Sequence, residues 1–252
     1  NGEQVLLIHG ITTYSFIWDE IFSLLTPNYD VTAVDLLGCG DSAKPLDVDY
    51  SIKNQANIIA KCVEKLELQN VHLVAHDIGG GVAQILAVKY PQLFKDVTLI
   101  NSVAYDFWPV QPITIMRTPI IRQFALATLD MGAFELIVKR GLYKKEVLTK
   151  ELMAKFWKPM KTRVGRKAFL HLAEDLDNKN LLDITDDLHK LETPFLIIRA
   201  ENDVYLRSDI SEKLNSNIKN SKLIVIPKSG HFMLVEVPKQ IVEALTKFFG
   251  EH

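Results

Sequence analysis

The residues around Asp77 have the types and spacing of a catalytic nucleophile. Residues 71–81 read VHLVAHDIGGG, so a strand-like run leads to Asp77 and then to small residues that open a helix-like run. This is the layout of a nucleophile elbow, the sharp strand-to-helix turn G-x-S-x-G that lifts one side chain above a sheet. Here Asp77 stands where the pattern has serine, and Gly79 fills its last position.

An aspartate at this turn suits displacement at a tetrahedral carbon. Carboxylate attack on an ester would leave a high-energy anhydride, whereas displacing a halide or opening a strained oxygen ring leaves an ordinary ester. Water attacking the carbonyl carbon of that ester would place the oxyanion on Asp77, where backbone N–H donors are needed. The competing interpretation is a glycine-rich turn that binds a phosphate.

The other parts of such a site follow strand-like runs elsewhere in the chain. Residues 5–8 lead to His9-Gly10-Ile11, and we expect the N–H groups of Ile11 and Ile78 to face the oxyanion. His9 and His76 flank the expected site and are predicted to support it through hydrogen bonds.

Asp203 and His231 complete the expected triad. In chain order they follow Asp77, which is the order nucleophile, acid, histidine, and each comes directly after a strand-like run. Asp203 also fits a helix cap, and Glu201 is the nearest rival for the acid.

The chain alternates strand and helix patterns, which predicts a mostly parallel sheet with helices on both faces. Strands are predicted near residues 5–8, 31–35, 71–75, 96–100, 194–199 and 222–226. Helices are predicted near residues 17–25, 52–67, 80–89, 208–219 and 238–249.

Residues 103–192 interrupt this alternation. They contain no good strand and are predicted to form helices near 113–128, 132–139, 150–159 and 163–177. The sequence therefore predicts an α/β core made of residues 1–102 and 193–252, with 103–192 inserted.

Taken together, these segments resemble the α/β-hydrolase fold, in the group of haloalkane dehalogenases and epoxide hydrolases with an aspartate nucleophile. Residues 35–42, DLLGCGDS, are especially similar to this group's loop after the second strand of the alternation. The resemblance implies that Asp77 is the nucleophile, that His231 activates water and that Asp203 orients it. It also implies that 103–192 form a helical cap over the pocket.

Departures from the group's pattern bear on the leaving group. Haloalkane dehalogenases usually place tryptophan after the nucleophile, and many place asparagine after His-Gly, whereas this chain has Ile78 and Ile11. An aliphatic side chain offers no donor to a halide, although Trp108 is a candidate from elsewhere. For an epoxide, the candidate proton donors are Tyr105, Tyr143 and His171. On this basis epoxide opening ranks slightly above dehalogenation.

Composition limits the partners. The net charge of −2, from 29 basic and 31 acidic residues, gives no sign of a nucleic-acid partner. Two unpatterned cysteines, Cys39 and Cys62, predict neither a disulfide framework nor a metal site, and no cofactor is expected. No signal peptide or membrane span is visible, so the expectation is a cytoplasmic enzyme acting on a small apolar organic substrate.

Two other functions remain open from the sequence. An esterase-like or lactone-acting hydrolase would use Asp77 as a base or orienting group while water attacks directly. A ligand-binding homologue without activity would keep only the pocket, although an intact Asp203 and His231 weigh against that interpretation.

Overall fold

The centre of the protein is a six-stranded sheet in the order β2-β1-β3-β4-β5-β6, in which every neighbouring pair is parallel. The computed structural model describes residues 2–106, 108–109, 111, 113–116 and 131–251. The strands are β1 (Glu3–Ile8), β2 (Tyr29–Val34), β3 (Val71–Asp77), β4 (Phe94–Ser102), β5 (Phe195–Ala200) and β6 (Ser221–Ile226). The α/β fold and the six predicted strands are confirmed.

The middle of this sheet is its most buried part. Every residue of β3 is buried, and β4 is buried except at one position, because helices cover both faces of a parallel sheet. The edge strands are less buried, since every residue of β2 and all but the last residue of β6 are partly or fully exposed. Asp77 is the last residue of β3, so it lies at the carboxyl end of a buried central strand, where open α/β sheets place their ligand sites.

Helices surround the sheet and connect its strands. Outside the segment between β4 and β5 they are α1 (Asp19–Leu25), α2 (Ile52–Lys65), α3 (Ile78–Lys89), α10 (Ser208–Asn217), α11 (Met233–Glu236) and α12 (Pro238–Phe249). The Ser51 side chain caps α2 by accepting the N–H of Asn54, and the apolar face of α2 is buried. Helix α3 is buried along almost its whole length, directly behind Asp77.

The segment between β4 and β5 is helical in its described part. It contains α4 (Ile113–Met116), α5 (Met131–Gly141), α6 (Lys150–Trp157), α7 (Arg163–Asp175), α8 (Lys179–Leu182) and α9 (Thr185–His189). The side chains of Thr149 and Thr162 cap α6 and α7. Most of the helix predicted at 113–128 lies outside the described residues, and the division into core and cap stays a prediction.

Candidate active site

The turn at Asp77 has a strained backbone that projects its side chain from the sheet. Asp77 joins β3 to α3 with φ 54° and ψ −121°, a region that non-glycine residues rarely occupy. Glycine at position 79 permits this turn, because a Cβ there would lie 2.7 Å from the carbonyl oxygen of Ile8. The carboxylate is almost fully buried, with Asp77 only 4% exposed.

Backbone N–H groups converge on this carboxylate. The N–H of Ile11 donates to Asp77 Oδ2 at 2.8 Å, and the backbone N–H of Ile78, the next residue, lowers the pKa of the same carboxyl. The chain approaches so closely that a Cβ on Gly10 would lie 2.6 Å from Asp77 Oδ2. The N–H of Ile11 is thus placed where it could stabilise an oxyanion on Asp77, and the role of Ile11 and Ile78 as its donors stays a prediction.

His231 and Asp203 form a buried pair next to Asp77. His231 Nδ1 lies 2.9 Å from Asp203 Oδ2, and we assign the proton to Nδ1, which leaves Nε2 as an acceptor. Asp203 Oδ1 accepts the N–H groups of Tyr205 at 2.8 Å and Leu206 at 3.1 Å. Asp203 therefore caps a turn with one oxygen and holds the imidazole with the other. Glu201 is exposed and accepts the N–H of Lys228, away from His231.

The pKa values of these three groups depend on one another. Burial is the largest influence on Asp77 and raises the pKa of its carboxyl, although His231 and the two N–H donors act against it. Burial also opposes charge on Asp203 and on His231. Their mutual attraction outweighs burial, so the pKa of Asp203 lies below its ordinary value and that of His231 above it.

The two flanking histidines are held neutral by burial. His9 donates from Nδ1 to the Gly10 carbonyl at 2.8 Å and accepts the N–H of Leu36 at Nε2 at 2.9 Å, and burial lowers its pKa to about 4. His76 Nε2 donates to the carbonyl oxygen of His231 at 3.0 Å, and burial lowers its pKa to about 3. Each imidazole thus fixes backbone beside the candidate nucleophile or base.

Asn101 is a supporting residue that the sequence interpretation missed. Its Oδ1 accepts the N–H of Ala200 at 2.8 Å, and its Nδ2 donates to the carbonyl oxygen of His231 at 3.0 Å. It ties the histidine loop to β5. The available signal was a polar residue at the carboxyl end of an otherwise apolar strand, β4.

An apolar cavity opens in front of Asp77 and His231. Its empty space, counted together with open solvent at the mouth, is about 630 Å³. Its lining residues are Ile11, Thr12, Asp77, Ile78, Val103, Trp108, Pro109, Gln111, Ile113, Phe134, Ile137, Phe169, Leu176, Tyr205, Leu206, His231 and Phe232. Several of them, from Val103 to Leu176, lie in the segment between β4 and β5.

The three candidate proton donors do not line this cavity. The Tyr105 hydroxyl lies among His189 Nε2, the Lys213 carbonyl and the Asn217 side chain, because its backbone at φ 55° turns the residue toward α9 and α10. Tyr143 is 47% exposed. His171 follows Phe169 by two positions on α7, so it faces away from the cavity, beside the Tyr50 ring. These three residues lie outside the lining of this cavity, and their assignment to substrate contact stays a prediction.

Trp108 does line the cavity. Its side chain is buried, and its indole Nε1–H has no hydrogen-bond acceptor in the described part of the chain. Buried N–H groups almost always have a partner, and among the described residues this one has none.

Among residues 2–106, 108–109, 111, 113–116 and 131–251, no group of three or more His, Cys, Asp or Glu side chains is arranged to hold a metal ion. No helix within these same residues combines the length and apolar character needed to cross a membrane.

The sheet, the strained elbow and the buried acid–histidine pair define an α/β hydrolase. The sequence model of the alpha/beta hydrolase fold family matches residues 4–238, so the chain belongs to this family and is a hydrolase of the α/β fold.

Proteins of several activities are similar to this chain. The chain is 27% identical to the uncharacterized hydrolase YugF of Bacillus subtilis, over 98% of this chain and 90% of the relative. It is 24% identical to the cis-3-alkyl-4-alkyloxetan-2-one decarboxylase of Shewanella oneidensis, over 99% and 83%. The crystal structure of haloalkane dehalogenase DbeA from Bradyrhizobium elkani superposes with a TM-score of 0.88 at 23% identity, over 100% and 91%.

Proposed function

We propose that this protein hydrolyses small apolar substrates through a covalent alkyl ester of Asp77. The observation that carries the proposal is the buried Asp77 carboxylate, held by the N–H of Ile11 at 2.8 Å and facing the same cavity as His231. A serine hydrolase needs a hydroxyl at this position. A carboxylate here fits attack on a tetrahedral carbon, because the product is an ordinary ester.

The reaction proceeds in two displacements. A carboxylate oxygen of Asp77 forms a bond to the sp³ carbon, and the leaving group departs with the bonding electrons. His231 Nε2 then takes a proton from water, whose oxygen attacks the carbonyl carbon of the ester, with Asp203 steadying the imidazolium. The oxyanion on Asp77 is stabilised by Ile11 and Ile78, and its collapse releases the alcohol, which takes the proton from His231.

The leaving group that the cavity suits best is one that departs as a stable anion. The N–H of Trp108, which has no acceptor within the described ranges, is a hydrogen-bond donor but not an acid, and a halide needs only such a donor. The alkoxide from an epoxide needs a proton. The phenol of Tyr205 is the tyrosine hydroxyl among the described lining residues, but it donates to the Ile137 carbonyl at 2.6 Å, and burial raises its pKa to about 12. We therefore place organic halides ahead of epoxides, reversing the order drawn from the sequence.

A strained lactone is the second candidate. The Shewanella relative is named for an oxetan-2-one, a four-membered lactone ring. Displacement at the ring's sp³ carbon by Asp77 would release a carboxylate, which is also a stable anion that accepts an N–H. The apolar cavity is compatible with alkyl substituents on such a ring.

Single turnover in heavy-oxygen water tests the covalent step. If the ester forms, the first turnover with enzyme in excess labels the Asp77 carboxylate, and the alcohol product carries no label. Label found only in the product would mean that water attacks directly and would contradict the proposal.

A panel of 1-bromobutane, styrene oxide, an alkyl-substituted oxetan-2-one and p-nitrophenyl acetate ranks the substrate classes. Faster turnover of the epoxide than of the bromide would contradict our order.

Replacing Trp108 with Phe should slow formation of the ester. A hydrogen bond to a charged acceptor contributes about 1.5–3 kcal/mol, so we expect formation from 1-bromobutane to slow about 10- to 100-fold. Trp18→Phe is the matched control, because Trp18 is fully buried and its N–H is also unpartnered, yet it does not line the cavity. Equal rates for the two variants in rapid-quench measurements would show that Trp108 does not contact the leaving group.

The pH dependence of ester hydrolysis should differ from the titration of His231 in the free enzyme. The charge of Asp77 helps to hold the pKa of His231 above its ordinary value of 6.5, and alkylation removes that charge. We expect hydrolysis to slow as pH falls and His231 gains a proton, with an apparent pKa below that of the free enzyme. NMR titration of free His231, compared with single-turnover hydrolysis rates, checks this. An equal or higher pKa in the ester would contradict it.

A further inference from the structure

Glu236 is a buried carboxylate that the proposed reaction does not use. It ends the short helix α11 and is only 7% exposed. Each of its oxygens accepts one backbone N–H, Oε2 from Gly230 at 2.8 Å and Oε1 from Lys144 at 2.6 Å. The Lys144 side chain also donates to the Glu236 carbonyl at 3.3 Å. Hydrogen bonds to an ionised acceptor are stronger than neutral ones.

The two donors belong to segments far apart in the sequence. Gly230 directly precedes His231, and Lys144 follows α5 of the inserted segment. These segments pack backbone against backbone, since a Cβ on Gly230 would lie 2.7 Å from the N of Tyr143. A Cβ on Gly141 would lie 2.6 Å from the Phe232 ring. Glu236 therefore hydrogen-bonds both the histidine loop and the segment that follows α5, at a close contact between their backbones.

His231 is held on its other side by core residues. Its carbonyl oxygen accepts from Asn101 Nδ2 and from His76 Nε2, each at 3.0 Å, and its Nδ1 is held by Asp203. The bond from Gly230 to Glu236 fixes the peptide on the N-terminal side. Loss of that bond would leave the loop attached to the core but no longer set against the inserted segment.

We infer that Glu236 is a positioning residue for the water-activating step, holding His231 at the place and angle from which it directs water at the ester. This inference rests on the proposed covalent intermediate. Asp77 attacks without help from His231, so Glu236 matters for hydrolysis of the ester and not for its formation. A displacement of about 1 Å in a reacting group can slow a step about 10²-fold.

The test measures the two steps separately in Glu236→Gln and Glu236→Ala. The glutamine variant keeps the shape but turns an NH₂ group toward one of the two N–H donors, and the alanine variant removes both bonds. By rapid quench and intact mass with 1-bromobutane, we expect formation within about twofold of the parent and hydrolysis about 10- to 100-fold slower, so that the ester accumulates. Glu243→Gln is the control, because Glu243 is exposed on α12, and it should change neither rate.

The result is the ratio of the rate constant for ester hydrolysis to that for ester formation. This ratio is compared because it does not depend on how much of a variant is folded. A parallel fall in both rates, or a ratio equal to that of Glu243→Gln, would overturn the inference. The variant His231→Gln separates this failure from failure of the proposed function. Absence of an adduct in His231→Gln counts against the covalent intermediate itself, whereas an adduct there with an unchanged ratio in Glu236→Gln counts against Glu236 alone.

Discussion

Replacing His231 with Gln is expected to stop the reaction at the alkyl ester of Asp77. Glutamine has no basic nitrogen to take a proton from water, so hydrolysis fails while attack by Asp77 continues. We expect steady-state turnover to fall at least about 10³-fold, while intact mass shows one alkyl group per protein. Peptide mapping should place that group on Asp77.

His189→Gln is the control for this experiment, because His189 lies on α9 beside Tyr105 and does not line the cavity. It should turn over normally and accumulate no adduct. If His231→Gln turned over at the parent rate, the triad assignment would be wrong.

Replacing Asp77 with Asn should abolish both turnover and the adduct. The amide has nearly the same shape, and its oxygen can still accept the N–H of Ile11, but an amide is not a competent nucleophile. We expect at least about 10³-fold loss of turnover and no mass increase with 1-bromobutane, even when combined with His231→Gln. Label uptake, intact mass and alcohol release check this directly.

The same variant should be at least as stable as the parent at neutral pH. Burial raises the pKa of Asp77 in the folded protein above its ordinary value, so ionising this group favours unfolding, and a neutral amide avoids that cost. Thermal unfolding of Asp77→Asn beside Asp106→Asn, which changes an exposed residue near β4, measures the difference. A lower melting temperature for Asp77→Asn alone would contradict this expectation.

The sheet was predictable because its signals are local. Apolar runs bounded by polar or glycine-rich turns gave all six strands within a few residues of their observed bounds, and the order of strands and helices gave the parallel arrangement. The approach of Ile11 to Asp77 followed from the elbow pattern, because a tight turn at the end of a central strand leaves few positions for the neighbouring loop.

The substrate side of the site was much less predictable. Tyr105, Tyr143 and His171 have the right chemistry, but their directions depend on a positive φ, on solvent exposure and on helix phase. None of these follows from residue type. Asn101 and Glu236 escaped notice for a related reason, since each acts on the backbone of residues far away in the chain.

The close packing of backbone around Asp77 limits where substitutions can change the specificity of the protein. A side chain added at Gly10 would collide with the Asp77 carboxylate, and one added at Gly79 would collide with main-chain oxygens. We therefore expect most substitutions at these two glycines to give inactive protein. Ile137, Phe169 and Leu176 instead line the cavity from the segment between β4 and β5. Substitutions at these three positions can change which substrates fit the cavity while Asp77, Asp203 and His231 stay unchanged.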